Sequence, residues 1–287
     1  MSNLFSGLES LGLNNLSGME LFEQKEKEKA EQKEKEKAES PEAKEAELIF
    51  EKSFTCPVCD KEFRSKLVRT GKVKLIAQDS DLRPKYQSVD SLKYDAIVCP
   101  ECGYAALSRF FNFMTSAQAK LIRENISANF KGLKEEKEIL SYEEAITRHK
   151  LALVNTVVKH AKASEKAYTC LKMAWLYRGQ AETLPDDTPN KEGKIKELQT
   201  REKELLANAY DGFVEAFSKE NFPMCGMDEM TLTYLTADLA RQIGKYNEAL
   251  QMIARIITSR EANERIKSRA REMKDTIREE QGKTGEE

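Results

Sequence analysis

The sequence predicts a mostly α protein in which a small β module carrying four cysteines is followed by a longer array of helices. Three observations carry that prediction. Two Cys-x-x-Cys pairs, Cys56/Cys59 and Cys99/Cys102, bracket a stretch in which apolar and polar residues alternate, the period of a strand. From residue 105 onward the apolar spacing changes to the three-and-four period of amphipathic helices. Ahead of both, residues 23–47 hold ten Glu and seven Lys and nothing that can line a core.

The totals exclude several functions. A chain of 287 residues suggests about two domains. Its net charge of −2 offers no whole-chain attraction to nucleic acid or to an anionic membrane. No run approaches the ~18 apolar residues of a membrane-spanning helix. The first residues have no basic start and no sustained apolar stretch, so no signal peptide is expected and the cytoplasm is the expected location. A reducing compartment argues against a disulfide framework for the six cysteines. Their split into two close pairs and two singles, Cys170 and Cys225, points to a metal instead.

Taken in order, residues 1–51 read as an N-terminal extension, disordered or a solvated helix. Its Leu4, Phe5, Leu8, Leu11, Leu13, Leu16, Leu21 and Phe22 make a short motif that can fold on a partner. The module spans 52–104. Within it Val73, Leu75 and Ala77 alternate with polar neighbours, as do Tyr94, Ala96 and Val98. Phe54, Phe63, Tyr94, Ile97 and Tyr104 are its expected core. The helical part spans 105–287. Thr115 with Gln118, and Ser141 with Glu144, read as capping boxes. After Ser141, Ala145, Ile146, Ala152, Leu153 and Val157 suit one buried face. Further helices are expected at about 164–178, 191–219, 228–243, 246–259 and 262–280, with LPDDTPNKEG as the break after the first of these.

The fragments FTCPVCDKEF and IVCPECGY are each a Cys-Pro-x-Cys turn. Proline fixes φ in such a turn, and Gly103 supplies a positive φ after the second pair. Four thiolates in a closed tetrahedron are what zinc takes in a structural role, so Cys56, Cys59, Cys99 and Cys102 are expected to hold structural Zn2+. Rubredoxin-like iron or a redox dithiol are the other chemistries open to two such pairs. A closed site has no ligand position for an activated water, which argues against metal catalysis. No Walker loop, GxGxxG, GxSxG or HExxH occurs. His149 and His160 are read as surface or core side chains, Cys170 as a buried small hydrophobe, and Cys225 as a loop residue with no base near it. No catalytic or organic-cofactor residues are therefore assigned, and no enzyme is expected.

Two interaction surfaces remain. Residues 61–74 carry Lys61, Arg64, Lys66, Arg69, Lys72 and Lys74 against Glu62 alone, a basic stripe that suits nucleic acid. Yet the whole module has ten basic and seven acidic residues, and a tetrathiolate zinc site adds about −2, which leaves it near neutral. In the helical part, GKYNEAL resembles the inter-helix turn of a tetratricopeptide repeat, with Gly244, Tyr246, Glu248, Ala249 and Leu250 in the matching places. Tyr142, Glu144, Ala145 and Ile146 echo that turn. Tyr168, Leu171, Trp175 and Gly179 resemble the packing positions of a first repeat helix, and Ala209, Phe213 and Ala216 those of a second. Such repeats stack into a surface for peptides or proteins; a plain bundle without a groove is the other reading.

FTCPVCDKEF, IVCPECGYAA and YTCLKMAWLYR together resemble an uncharacterised bacterial family, domain of unknown function 2225, seen largely in Firmicutes. The resemblance covers roughly residues 50–260. It implies a cytoplasmic bacterial protein with a zinc ribbon, its four cysteines matching one for one, followed by tetratricopeptide-like helices. It implies no activity. The expected function is a non-enzymatic zinc-binding adaptor with a protein or peptide partner on the helical surface. A nucleic-acid- or ribosome-associated factor using residues 61–74 is the alternative.

Overall fold

The structure is a computed structural model, which describes residues 41–133 and 137–284. The linear motif and most of the charged tract read from the sequence lie outside those residues. The chain divides into two units, residues 1–47 and 48–287. Of the first, α1 (Pro41–Glu47) is described, a short helix that buries none of its side chains.

The second unit is mostly α, with its strands at the front. β1 (Ile49–Thr55) and β2 (Glu62–Val68) form an antiparallel hairpin in which Phe54 faces Phe63. β3 (Leu75–Gln78) pairs with β4 (Pro84–Tyr86), and β5 (Ala96–Val98) with β6 (Ala105–Leu107). The hairpins stay separate two-stranded ribbons rather than one sheet. Isolated ribbons of this length are marginal in water, so something beyond their own hydrogen bonds must hold them.

Two details of the alternation read from the sequence are corrected. Leu75 and Ala77 are exposed, because the register shifts between them and no element among the described residues covers β3. The bulge breaks the period of two on which the expectation rested. Tyr94 lies in a tight 3-10 turn, Ser91–Tyr94, capped by Asp90, before β5 begins. It is buried, against Val89 and Leu140 rather than with the cysteines.

α2 (Ser116–Ile122) widens into a single π-type turn, Arg123–Ser127. Then come α3 (Tyr142–Val158), α4 (Ala163–Glu182), α5 (Lys191–Lys219), α6 (Glu229–Gln242), α7 (Tyr246–Thr258) and α8 (Glu264–Thr284). Both capping boxes form: the Thr115 and Ser141 hydroxyls accept from the Gln118 and Glu144 amides, and those two side chains accept from the cap amides in return. From α3 onward each helix packs on the next, and α6 also reaches α8. Their shared core includes Leu171, Trp175, Leu176, Phe213, Leu232, Leu235 and Ile253. Val157, expected inward on α3, is 55% exposed. Its neighbours Ala152 and Asn155 turn toward β5 and β6 instead, which rotates Val157 outward.

Residues 48–287 are one compact unit, and the division drawn at 104/105 falls just before β6, inside a hairpin. The reason is polar as well as apolar. The turn between β3 and β4 enters the helical array. There the Asp81 carboxylate accepts from Trp175 Nε1 at 2.9 Å, Arg178 Nη2 at 2.7 Å and Gln242 Nε2 at 3.3 Å. Beside it, Ser80 donates to Asp238 at 2.9 Å and its carbonyl accepts from Tyr234 at 3.0 Å. From α3, Arg148 Nε donates to the Ala96 carbonyl at 3.2 Å.

Candidate metal centre

The turn of the first hairpin presents Cys56 and Cys59; the turn between β5 and β6 presents Cys99 and Cys102. The two turns share one design. The Cys56 amide donates to the Lys61 carbonyl at 3.0 Å, and the Cys99 amide to Tyr104 at 2.8 Å. The residue after each second cysteine closes the turn, Asp60 onto the Cys56 carbonyl and Gly103 onto that of Cys99, at 2.9 and 3.1 Å. Both closing residues have positive φ, 58° and 72°. At position 103 glycine is required twice over, since a Cβ there would sit 2.6 Å from the Phe130 ring.

The four sulfurs lie within 4.8 Å of one another. Cys56 and Cys102 are 3.5 Å apart, and Cys59 and Cys99 3.7 Å. Bonds of ~2.3 Å from a tetrahedral ion place its sulfurs about 3.8 Å apart, whereas a disulfide requires about 2 Å. The spacing therefore fits a metal ion. Among the described residues no other cluster of three or more such ligands is arranged to hold one.

Electrostatics point the same way. Hydrogen bonds from Cys102 and Cys56 hold the Cys99 thiol far below its ordinary value. The Cys56 and Cys99 sulfurs, with burial, push Cys102 far above it. Four thiols this close cannot all ionise against one another. A divalent cation removes that conflict and releases the protons as it binds.

Two side chains that sequence reasoning missed tie the knuckles to helices. Arg123 Nη1, from the turn after α2, donates to the Val58 carbonyl at 2.7 Å. Asn155 Nδ2, from α3, donates to the Gly103 carbonyl at 3.1 Å. A third contact, Lys61 to Glu101 at 2.5 Å, joins the two knuckles directly. Beneath the sulfurs, Phe54, Phe63, Tyr104 and Phe111 pack together with centroids 5.0–6.0 Å apart, Phe111 set edge-on to Phe54 and Phe63, and Tyr104 donates to the Phe111 carbonyl at 2.9 Å. Nothing in the spacing of Arg123 or Asn155 announces a bracing role; one opens the π-type turn after α2 and the other is a single polar residue on α3.

The remaining candidates separate cleanly. His149 is fully buried, with Nδ1 2.8 Å from the Ala145 carbonyl, and burial holds its imidazole down to about 4. His160 is exposed beyond the end of α3, so the pair forms no second metal site. Cys170 is buried and pushed up to about 11 by desolvation. Cys225 is also buried, and its thiol donates to the Ser164 carbonyl at 3.3 Å. Of the basic stripe, Lys61 bonds to Glu101, Arg64 to Glu51 at 3.3 Å and Lys66 to the Lys137 carbonyl, while Arg69 lies over the Phe50 ring. Lys72 and Lys74 are exposed, and no ion pair engages them among the described residues.

Two grooves stand out on the helical part. One, about 580 Å³, is lined by Asp79, Ser80, Arg178, Glu182, Arg241 and Gln242, so the chain's own turn forms one of its walls. The other, about 470 Å³, runs between α3, α4 and α5 over Leu153, Val157, Ala163, Ala167, Leu205 and Gly212. Among the described residues no helix is long and apolar enough to cross a membrane.

A family model described as an uncharacterized protein conserved in bacteria (DUF2225) matches residues 49–277. Neither the curated proteins nor the solved structures yield a match.

Proposed function

The chain belongs to the conserved bacterial family DUF2225, and on that footing we propose that it is a non-enzymatic adaptor, built around structural zinc, that binds a protein or peptide on tetratricopeptide-like helices. One observation carries this reading: the four sulfurs form a closed, largely buried set whose two knuckles are each hydrogen-bonded to a helix. Zinc there staples short strands to the helical body and has no ligand position left for substrate. Three of the four cysteines are buried, which disfavours thiol exchange, and burial raises the Cys170 and Cys225 thiols, away from the reactive thiolate.

The groove between α3, α4 and α5 is the partner surface in this reading. Its floor includes Ala163, Ala167 and Gly212, small residues that let α4 and α5 approach closely, and half-exposed Val157 forms its wall. The turn between α6 and α7, with Gly244 at φ 82° and buried Ala249, supports the repeat assignment. A cytoplasmic setting keeps the thiols reduced for the metal.

The test is metal content by mass spectrometry together with affinity capture from cell extract by wild type and by Val157→Asp, with and without nuclease. One zinc per chain and nuclease-resistant partners lost in Val157→Asp support the adaptor. Lys72 and Lys74, exposed and without an ion pair among the described residues, favour the second reading, a nucleic-acid-associated factor. Partners that vanish with nuclease, and RNA affinity that falls steeply with salt, would establish that instead.

A further inference from the structure

We propose that the free edge of β3 is a second docking site, which takes an extended peptide strand of alternating acidic and apolar residues. It lies on the strand module, apart from the groove of the adaptor reading, and stands or falls without it.

β3 hydrogen-bonds to β4 along one edge only, and among the described residues no strand or side chain pairs with the other. An open edge is a row of unpaired amides and carbonyls, the template for adding a strand. Proteins ordinarily blunt such an edge with charge, a bulge or a short strand; β3 is short, shifted in register and preceded by Lys72 and Lys74, yet it still carries large apolar side chains in the open. Here Leu75 is 52% and Ile76 60% exposed, side by side on the edge strand. The register shifts between Leu75 and Ala77, and both Leu75 and Ile76 stand outward.

Charge selects the occupant. From Phe63 to Gln78 the chain carries Arg64, Lys66, Arg69, Lys72 and Lys74 and no acidic residue. Arg64 is matched by Glu51, but Lys72 and Lys74, immediately before the exposed pair, are not matched by anything among the described residues. A strand laid along β3 would meet cations at one end and apolar side chains in the middle. An acidic–apolar peptide satisfies both, and a second copy of this basic edge would repel the first.

The edge is also held in place before any partner arrives. The turn that follows β3 is fixed in the helical array through Ser80 to Asp238 and Tyr234, and through Asp81 to Trp175 and Arg178. A strand anchored at its end loses less freedom on pairing than a loose one.

The test uses the full chain, a fluorescein-labelled octapeptide alternating Val with Glu, and its Val/Lys counterpart, read by anisotropy. The acidic peptide should bind in the micromolar range, about ten times or more tighter than the basic one. Ile76→Lys and Lys72→Glu/Lys74→Glu should each weaken it about tenfold or more while leaving the melting temperature unchanged, since all three positions are exposed. On binding, amide hydrogen exchange should slow at Leu75–Gln78. Equal affinity for both peptides, binding untouched by Ile76→Lys, or no protection of β3 would overturn the proposal. So would a single-stranded RNA oligonucleotide that displaces the acidic peptide and binds more tightly, or concentration-dependent self-association abolished by Ile76→Lys.

Discussion

Replacing Asp81 by Ala tests whether the strand module and the helices are one body. The carboxylate is fully buried and takes hydrogen bonds from Trp175, Arg178 and Gln242 across the boundary between strands and helices. Removing one partner of a buried pair costs about 3–5 kcal/mol, because the other is left uncompensated. Arg178 would keep Glu202 at 2.6 Å and Asp79 at 3.2 Å, which argues for the lower end, about 3 kcal/mol. For a unit of this size that is a fall of about 6–12 °C in melting temperature. Burial raises the Asp81 carboxyl, but Arg178 beside it, with the hydrogen bonds of Arg178, Trp175 and Gln242, outweighs burial and holds it below the ordinary value. A lowered folded-state pKa contributes stability that is present above the unfolded value, about 4, and lost as pH falls through the folded one. Wild type should therefore exceed Asp81→Asn by a constant margin from about pH 5 upward, and the margin should shrink below about pH 4. Thermal melts at pH 7 measure the first effect, and urea titrations at pH 7 and pH 3 the second. A shift under about 2 °C for Asp81→Ala, or a margin unchanged at pH 3, would refute the reasoning.

Three further outcomes are expected. Trp175→Ala should cost about 3–5 kcal/mol by denaturant titration, since it empties a buried indole volume and removes one of the hydrogen bonds to Asp81; a near-zero cost would make Trp175 a surface contact. Cys99→Ser should abolish stoichiometric metal by mass spectrometry and expose the β5–β6 hairpin to proteolysis, whereas retained metal would show that three thiolates suffice. Removing residues 1–47 should leave the melting temperature of 48–287 unchanged, and a large drop would mean that the extension stabilises it.

What was legible in the sequence was what short-range chemistry dictates. The Cys-Pro-x-Cys spacing fixes two knuckles, because each is a turn whose geometry needs nothing outside itself. The caps at Thr115 and Ser141 are likewise local, as is the limit of α5, set by the break before Lys191 and found where expected. Residues whose role depends on distant partners were not legible. Asp81 reads as a turn residue until Trp175 and Arg178, roughly a hundred positions on, close around it. The only sequence hint is that Trp175 and Arg178 are three apart and share a helix face. Leu75 and Val157 fit apolar patterns yet face outward, because pattern reports what an element can bury and not whether anything covers it. The partners of the basic stripe were hidden for the same reason: Glu51 and Glu101, which answer two of its cations, come from other segments.

The braces at Arg123 and Asn155 make metal affinity and helix stability two readings of one equilibrium. β5 and β6 are three residues each and cannot persist as an isolated pair. Their order comes from the knuckle, the hydrogen bond of Asn155 to Gly103, and the packing of Val98 and Ala105 on Ala152 of α3. An ion that binds only the folded form stabilises it by about 1.4 kcal/mol for each tenfold rise in free metal above its dissociation constant. If the strands and helices unfold together, that increment must appear in the helical signal. Circular dichroism at 222 nm should then show a melting midpoint that climbs steadily with the logarithm of buffered free zinc, matching the shift in the temperature at which β5 and β6 lose amide-exchange protection. A midpoint at 222 nm indifferent to zinc, beside an exchange transition in β5 and β6 that moves, would mean that the strand module melts alone. The hydrogen bonds across the boundary would then be too weak to make the metal a staple for the helices.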